Sequence, residues 1–148
     1  MKTSILLSIL FMSSVCHAAR PFENEFRYAA MSAGVDTQLL RAVCYYESGF
    51  RPKAVHHKDG GDNKPSYGIC QLKESTARDM GFEGHIRDLR KPGVNIKFAA
   101  EYLAFQLERY NGDVGKALTA YNRGSFKSSA DKRNSYVAAV LLAYYEKR

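Results

Sequence analysis

Apolar residues recur at spacings of three and four along most of the chain, and glycines punctuate the pattern. Phe22, Phe26, Ala29, Ala30 and Ala33 form one apolar face, with Pro21 suited to a first helical position and Gly34 to a C-terminal cap. Asp36 is an N-cap candidate for a second helix, where Leu39, Leu40, Val43 and Cys44 share a face before Gly49 stops it. The periodicity disappears from Arg51 to Tyr67. The run HHKDGGDNKPS within it is polar and rich in turn residues, and it reads as a long irregular loop or a small hairpin. A short helix is expected from Ser75 to Met80, and a longer one after Pro92, using Val94, Phe98, Ala99, Tyr102, Leu103, Gln106 and Tyr110. Asp113 caps the next helix, carrying Ala117, Leu118 and Tyr121, with Gly124 beyond its end. The last helix turns Tyr136, Val137, Val140, Leu141, Tyr144 and Tyr145 inward. No run alternates as a strand does, so the fold class is mainly α.

One residue breaks the apolar stripe of the second helix. Glu47 shares a face with Leu39, Leu40, Val43 and Cys44, at about 100° of rotation per residue, and lies in the last turn near the carbonyl-rich helix end. Apolar surroundings and that dipole end both disfavour a carboxylate, so an upward pKa shift is expected. A carboxyl kept protonated near neutral pH can act as a general acid. Pairing with Arg41, Arg51 or Lys53 at the helix end would equally account for a charge at this position.

Length and composition narrow the setting. A chain of 148 residues is about one domain's worth and can bury a core. Its first eighteen residues carry Lys2, an apolar run from Ile5 to Val15, and then Cys16, His17 and Ala18, which suits signal-peptidase cleavage after Ala18. The apolar run is far short of the ~20 residues a spanning helix needs. A periplasmic or secreted domain over residues 19–148, with no stable membrane insertion after cleavage, is therefore expected. Cleavage would leave Cys44 and Cys70, which either bond in an oxidising compartment or remain two small buried hydrophobes. The net charge of +7 falls to +6 with the loss of Lys2 and favours an anionic polymer, yet no nucleic-acid signature accompanies it.

Three further segments could serve the same site as Glu47. Ser66-Tyr67-Gly68-Ile69-Cys70-Gln71 ends the long loop with a glycine that admits close approach and an amide that both donates and accepts. Ala120-Tyr121-Asn122 closes a helix with a ring beside an amide, a pairing suited to a sugar. Tyr136 opens the last helix. Turn chemistry, helix capping and core packing explain the same residues without any ligand.

Taken together, Glu47-Ser48, Gly68-Ile69-Cys70-Gln71, Ala120-Tyr121-Asn122 and Tyr136 resemble the ordered signatures of the soluble Slt-type lytic transglycosylases, which share the goose-type lysozyme fold. STARDMGF and NIKFAAEYLAFQLERYNGDVGKALTAYN are similar to the segments that family carries between its motifs. The resemblance implies a single lysozyme-like domain acting on the glycan strands of peptidoglycan, between N-acetylmuramic acid and N-acetylglucosamine. It implies that Glu47 protonates the glycosidic oxygen and then accepts the proton of the muramoyl 6-hydroxyl, leaving a 1,6-anhydro end without consuming water. It further implies that Ser48, Tyr67, Gly68, Ile69, Gln71, Tyr121, Asn122 and Tyr136 contact or orient the sugars, with no cofactor and no metal. A monomer is expected, in service of a secretion, conjugation, pilus or phage-entry machine. Cys70 stands where the family has Met, and Arg123 where it commonly has Ala. With Cys70 beside the Glu47 helix and Cys44 one turn back, a bond between them is reasonable in this setting.

Two rivals remain at this level. Asp59 or Asp62 could activate water and make the protein a hydrolase, as downstream acids do in goose-type lysozymes. Alternatively the chain could bind wall material without cutting it. A metal site at His56, His57, Asp59 and Asp62 is disfavoured, since the spacing matches neither a calcium loop nor a helical zinc motif.

Overall fold

A computed structural model describes residues 20–59, 63–127 and 135–146, with backbone alone for Lys58 and Asp59. The segment through Ala18 and Asp62 lie outside the described residues. Six α-helices form among them: α1 (Glu23–Ala33), α2 (Thr37–Ser48), α3 (Glu74–Asp79), α4 (Pro92–Arg109), α5 (Val114–Arg123) and α6 (Ser135–Glu146). The caps work as polar turn residues should. The Asp36 carboxylate accepts the Leu39 amide at 2.8 Å, and the Asp113 carboxylate accepts the Lys116 amide at 3.0 Å. Pro92 occupies the first turn of α4, where its missing N–H costs nothing. Pro21 does not start α1, contrary to expectation. It sits in a turn before Phe22, which caps the helix in a left-handed conformation, while the Pro21 carbonyl accepts Arg41 Nη1 at 3.0 Å.

α4 runs through the middle of the helices, against α1, α5, α2 and α3, while α6 lies on α2 and α5. Phe26, Leu40, Ile69, Leu89, Ile96, Leu103, Leu118 and Val140 are fully buried between them, and removal of this apolar surface from water is the main stabilising term.

The polar segment after α2 is not only loop. It forms a small antiparallel sheet in the order β1 (Val55–Asp59), β2 (Lys64–Tyr67), β3 (Leu72–Lys73), with Val55 opposite Tyr67 and Ser66 opposite both His56 and Lys73. Of the two readings of this segment the hairpin is the one that forms, and it leaves no alternating pattern for a physical reason: the strands are short, and on β2 the one buried side chain is a serine. Their backbone ladders hold them, and no apolar alternation is needed to do so. Among the described residues no helix is long and apolar enough to cross a membrane.

Candidate active site

Glu47 stands in the last turn of α2, before Gly49 reverses the chain in a left-handed conformation at φ 62°. Its stripe neighbours Leu39, Leu40, Val43 and Cys44 are buried, but Glu47 itself is half-exposed. The helix end lifts this position out of the core that its periodicity predicted. The Tyr136 hydroxyl, at the start of α6, donates to Glu47 Oε1 at 2.8 Å. That phenol is 4% exposed, and its ring meets Tyr46 edge-on with centroids 5.0 Å apart. Burial first, and then the charge of Glu47, push the Tyr136 hydroxyl well above its ordinary value, and the same two causes act on Tyr121. Tyr136 therefore keeps its proton and stays a hydrogen-bond donor to Glu47 across the neutral range. Of the cations near this helix end, Arg41 meets Glu23 at 3.3 Å, and Arg51 Nε donates to the Ser48 carbonyl at 2.7 Å.

The turn from Gly68 to Gln71 is fastened to the end of α2 from two directions. A disulfide joins Cys44 of α2 to Cys70. One turn further along the helix, the Ser48 hydroxyl donates to the Ile69 carbonyl at 2.6 Å and accepts the Arg51 amide at 3.0 Å. Ser48 is buried, and its hydroxyl holds helix to turn. Two other residues expected against sugar are bonded to the turn in a similar way. Gln71, 7% exposed and at a positive φ of 49°, accepts from Ser66 Oγ at 2.8 Å and donates to the Gly68 carbonyl at 2.7 Å. The Tyr121 hydroxyl, on α5, donates to the Cys70 carbonyl at 3.1 Å, and its ring packs near Tyr102 with centroids 5.1 Å apart. Both close the turn on itself because polar groups in a buried place must be satisfied internally. Ile69 is wholly buried, Tyr67 is half-buried, and Asn122 is exposed at the end of α5.

Asn95 is the residue that the sequence pattern did not single out. Fully buried in the first turn of α4, it accepts the Cys70 amide at 2.7 Å and donates to the Tyr67 and Leu89 carbonyls at 2.8 and 2.7 Å. Three backbone groups thus depend on one side chain. Gly68 makes this possible. At φ 78° it favours a residue without a side chain, and a Cβ there would strike the Leu89 carbonyl and lie 2.6 Å from Asn95 Nδ2. The signal for Asn95 was present, since it shares a helical face with Phe98, Ala99 and Tyr102, as Glu47 does with its own apolar stripe.

Glu47, Ser48, the Gly68–Gln71 turn, Tyr121 and Tyr136 are therefore brought together by direct bonds, although they come from α2, the segment after β2, α5 and α6. One half-exposed carboxyl, with a phenol donating to it and a rigid backbone turn alongside, suits a single group that gives and retakes a proton. No group of three or more His, Cys, Asp or Glu is placed to hold a metal ion among the described residues.

The model of the family "Transglycosylase SLT domain" matches residues 24–140. "Peptidoglycan transglycosylase gp16" of Escherichia phage T7 is 32% identical over 118 residues, which are 78% of this chain and 8% of the phage protein. "Protein IpgF" of Shigella flexneri is 27% identical over 113 residues, covering 74% of this chain and 72% of that one. The crystal structure of an inactive variant of the lytic transglycosylase Slt from Pseudomonas aeruginosa superposes with a TM-score of 0.67 at 20% identity, over 86% of this chain and 24% of Slt. That likeness establishes the lysozyme-like fold. This chain therefore spans only a small part of gp16 and of Slt, and most of IpgF.

Proposed function

Because the chain belongs to the transglycosylase SLT-domain family, we propose that it is a peptidoglycan lytic transglycosylase in which Glu47 is the catalytic acid and base. The observation that carries this reading is the 2.8 Å hydrogen bond from the Tyr136 hydroxyl to Glu47 Oε1, at the mouth of a turn tied down by the Cys44–Cys70 disulfide. In the first half-reaction the Glu47 carboxyl gives its proton to the glycosidic oxygen between N-acetylmuramic acid and N-acetylglucosamine, and the C1–O bond breaks. In the second, Glu47 as carboxylate takes the proton of the muramoyl 6-hydroxyl while that oxygen bonds to C1. The proton count closes, and no water enters. The substrate's own N-acetyl group stabilises the positive centre, so a second protein carboxylate of the kind most glycosidases use is not required.

Tyr136 supports the first half: its donated hydrogen bond favours the carboxylate that forms as Glu47 gives up its proton. Ser48, Asn95 and the disulfide act as positioning groups, holding the 68–71 turn at a set distance from the acid. Asn122, exposed beside buried Tyr121, is the amide available to a sugar's hydroxyl or acetamido group. Residues 1–18 are removed on export, and the protein works on the wall outside the cytoplasmic membrane. Digestion of purified peptidoglycan followed by mass spectrometry tests the reading. Anhydromuramoyl ends from wild type, and none from Glu47→Gln, are expected; reducing muramic ends alone would replace this mechanism with hydrolysis.

A further inference from the structure

The face of α2 opposite Glu47 has its own cavity. At about 100° per residue, Gln38, Arg41, Ala42 and Tyr45 point away from the side that carries Leu40, Val43, Cys44 and Glu47. Together with Arg20, Pro21, Phe50 and, from α6, Ala143 and Glu146, they line a cavity of about 530 Å³. A space of that size suits a small ligand or a short peptide end.

At this cavity lies a buried guanidinium. Arg41 is 7% exposed and sits over the rings of Phe26 and Phe50, 4.8 and 5.1 Å from their centroids. Its Nη1 donates to the Pro21 carbonyl at 3.0 Å and meets Glu23 at 3.3 Å. Among the described residues, Nε and Nη2 meet no acceptor, and neither is a sealed atom. Arg41 lines the cavity, and these are the donors it has left for an occupant. A planar pair of N–H donors at fixed spacing matches a carboxylate, which takes two parallel hydrogen bonds. Gln38, whose Oε1 accepts from Arg20 Nη1 at 3.4 Å, leaves its amide N–H groups for a peptide carbonyl, and Tyr45, Phe50, Ala42 and Ala143 supply apolar wall. Arg20 adds a second cation, while Glu23, already paired with Arg41, and Glu146 in the lining oppose any anion without a neighbouring donor. That balance disfavours a bare inorganic anion and favours a carboxylate carried on an amide backbone.

We propose that this cavity is a second ligand site, separate from the glycan groove, that takes the free carboxylate end of a short peptide. Two sources present such an end: the peptide stems of the wall polymer, which finish in D-residues, and protein C-termini, which finish in L-residues. The site shares both its helices with the active site. α6 carries Tyr136 at one end and Glu146 at the other, about 15 Å apart at 1.5 Å per residue. An occupant would hold the pair of helices that presents Glu47, without touching the groove.

Calorimetric titration of the full chain with N-acetyl-alanyl-alanine tests the proposal, using the D,D and L,L forms and the C-terminal amide of each. At least tenfold tighter binding of one acid than of its amide is expected, and the preferred enantiomer identifies the source. Arg41→Lys, which keeps the charge but loses the fork, should weaken that binding about tenfold. Ala143→Phe, which fills the cavity at a half-buried position, should abolish it while release of products from peptide-free glycan strands continues. Equal binding of acid and amide, no saturable binding of either, or unchanged binding by a folded Ala143→Phe variant would overturn the proposal. Because binding is read directly, failure of the cleavage mechanism would leave this result standing.

Discussion

Replacing Asn95 with alanine should destabilise the protein far more than a polar-to-apolar change in a helix usually does. The side chain is fully buried and satisfies the Cys70 amide and the carbonyls of Tyr67 and Leu89. Leaving a buried backbone group without its partner costs about 1–3 kcal/mol. Three such groups would cost about 3–9 kcal/mol, the lower end applying if water enters the space left behind. For a domain of this size each kcal/mol lowers Tm by about 3–5 °C, so a fall of at least about 10 °C is expected. Urea unfolding of the oxidised protein, followed by circular dichroism, measures the loss with Asn122→Ala as an exposed control. The Asn95→Asp variant refines the test. It keeps an acceptor for the Cys70 amide but turns an oxygen toward two carbonyls, so its folded-state pKa must rise above the unfolded value of about 3.9. The sign follows: Asn95→Asp should be most stable below about pH 4 and lose stability as pH rises toward the raised value. A loss below about 1 kcal/mol for Asn95→Ala, or an Asn95→Asp variant that gains stability with rising pH, would refute the reasoning.

Removing the Tyr136 hydroxyl (Tyr136→Phe) deletes a hydrogen bond to a charged group worth about 1.5–3 kcal/mol. Turnover should therefore fall about ten- to a hundredfold in a folded enzyme, and wild-type turnover by this variant would remove Tyr136 from the account. The raised values of Tyr136 and Tyr121 mean that the folded state holds protons which unfolded tyrosines release near pH 10. Stability should thus decline from about pH 10 upward, and less steeply in Tyr136→Phe; a pH titration of Tm checks this. The disulfide closes a loop with a sequence separation of 26 residues, for which chain entropy gives about 3.5 kcal/mol. Tm should drop by at least about 10 °C in reductant, and an unchanged Tm would show that the bond contributes nothing. Gly68→Ala pays both a left-handed backbone penalty and a clash with the Leu89 carbonyl, so loss of at least about 2 kcal/mol is expected by urea unfolding.

The helices were legible because each announces itself twice, through an apolar face and through its ends. Asp36 and Asp113 accept the amides their spacing suggested, and Gly34, Gly49 and Gly124 adopt the left-handed conformations that end α1, α2 and α5. Of the sheet, the hairpin was legible only as one of two readings and β3 not at all, since strands such as VHHKD and KPSY are held by backbone pairing and carry no alternation. At the site, the segments singled out by residue type are the ones the fold bonds together, while the atoms' partners were not legible. Ser48, Gln71 and Tyr121 are the kinds of residue that meet a sugar, yet burial obliges their polar groups to bond Ile69, Ser66, Gly68 and Cys70. Only the tertiary arrangement decides between those two uses of a hydroxyl or an amide. Asn95 was overlooked because a polar residue in the first turn of a helix is ordinarily solvated, and nothing local reveals that the Tyr67–Cys70 backbone lies against it.

The central claim is that Glu47 moves one proton out and one back without admitting water. Digestion of purified peptidoglycan in heavy-oxygen water, with mass spectrometry of the released muropeptides, tests it most directly. Wild type should yield anhydromuramoyl ends with no heavy oxygen, and Glu47→Gln should yield no product. Heavy oxygen at C1 of the released muramic ends, or cleavage that survives the loss of the Glu47 carboxyl, would contradict it.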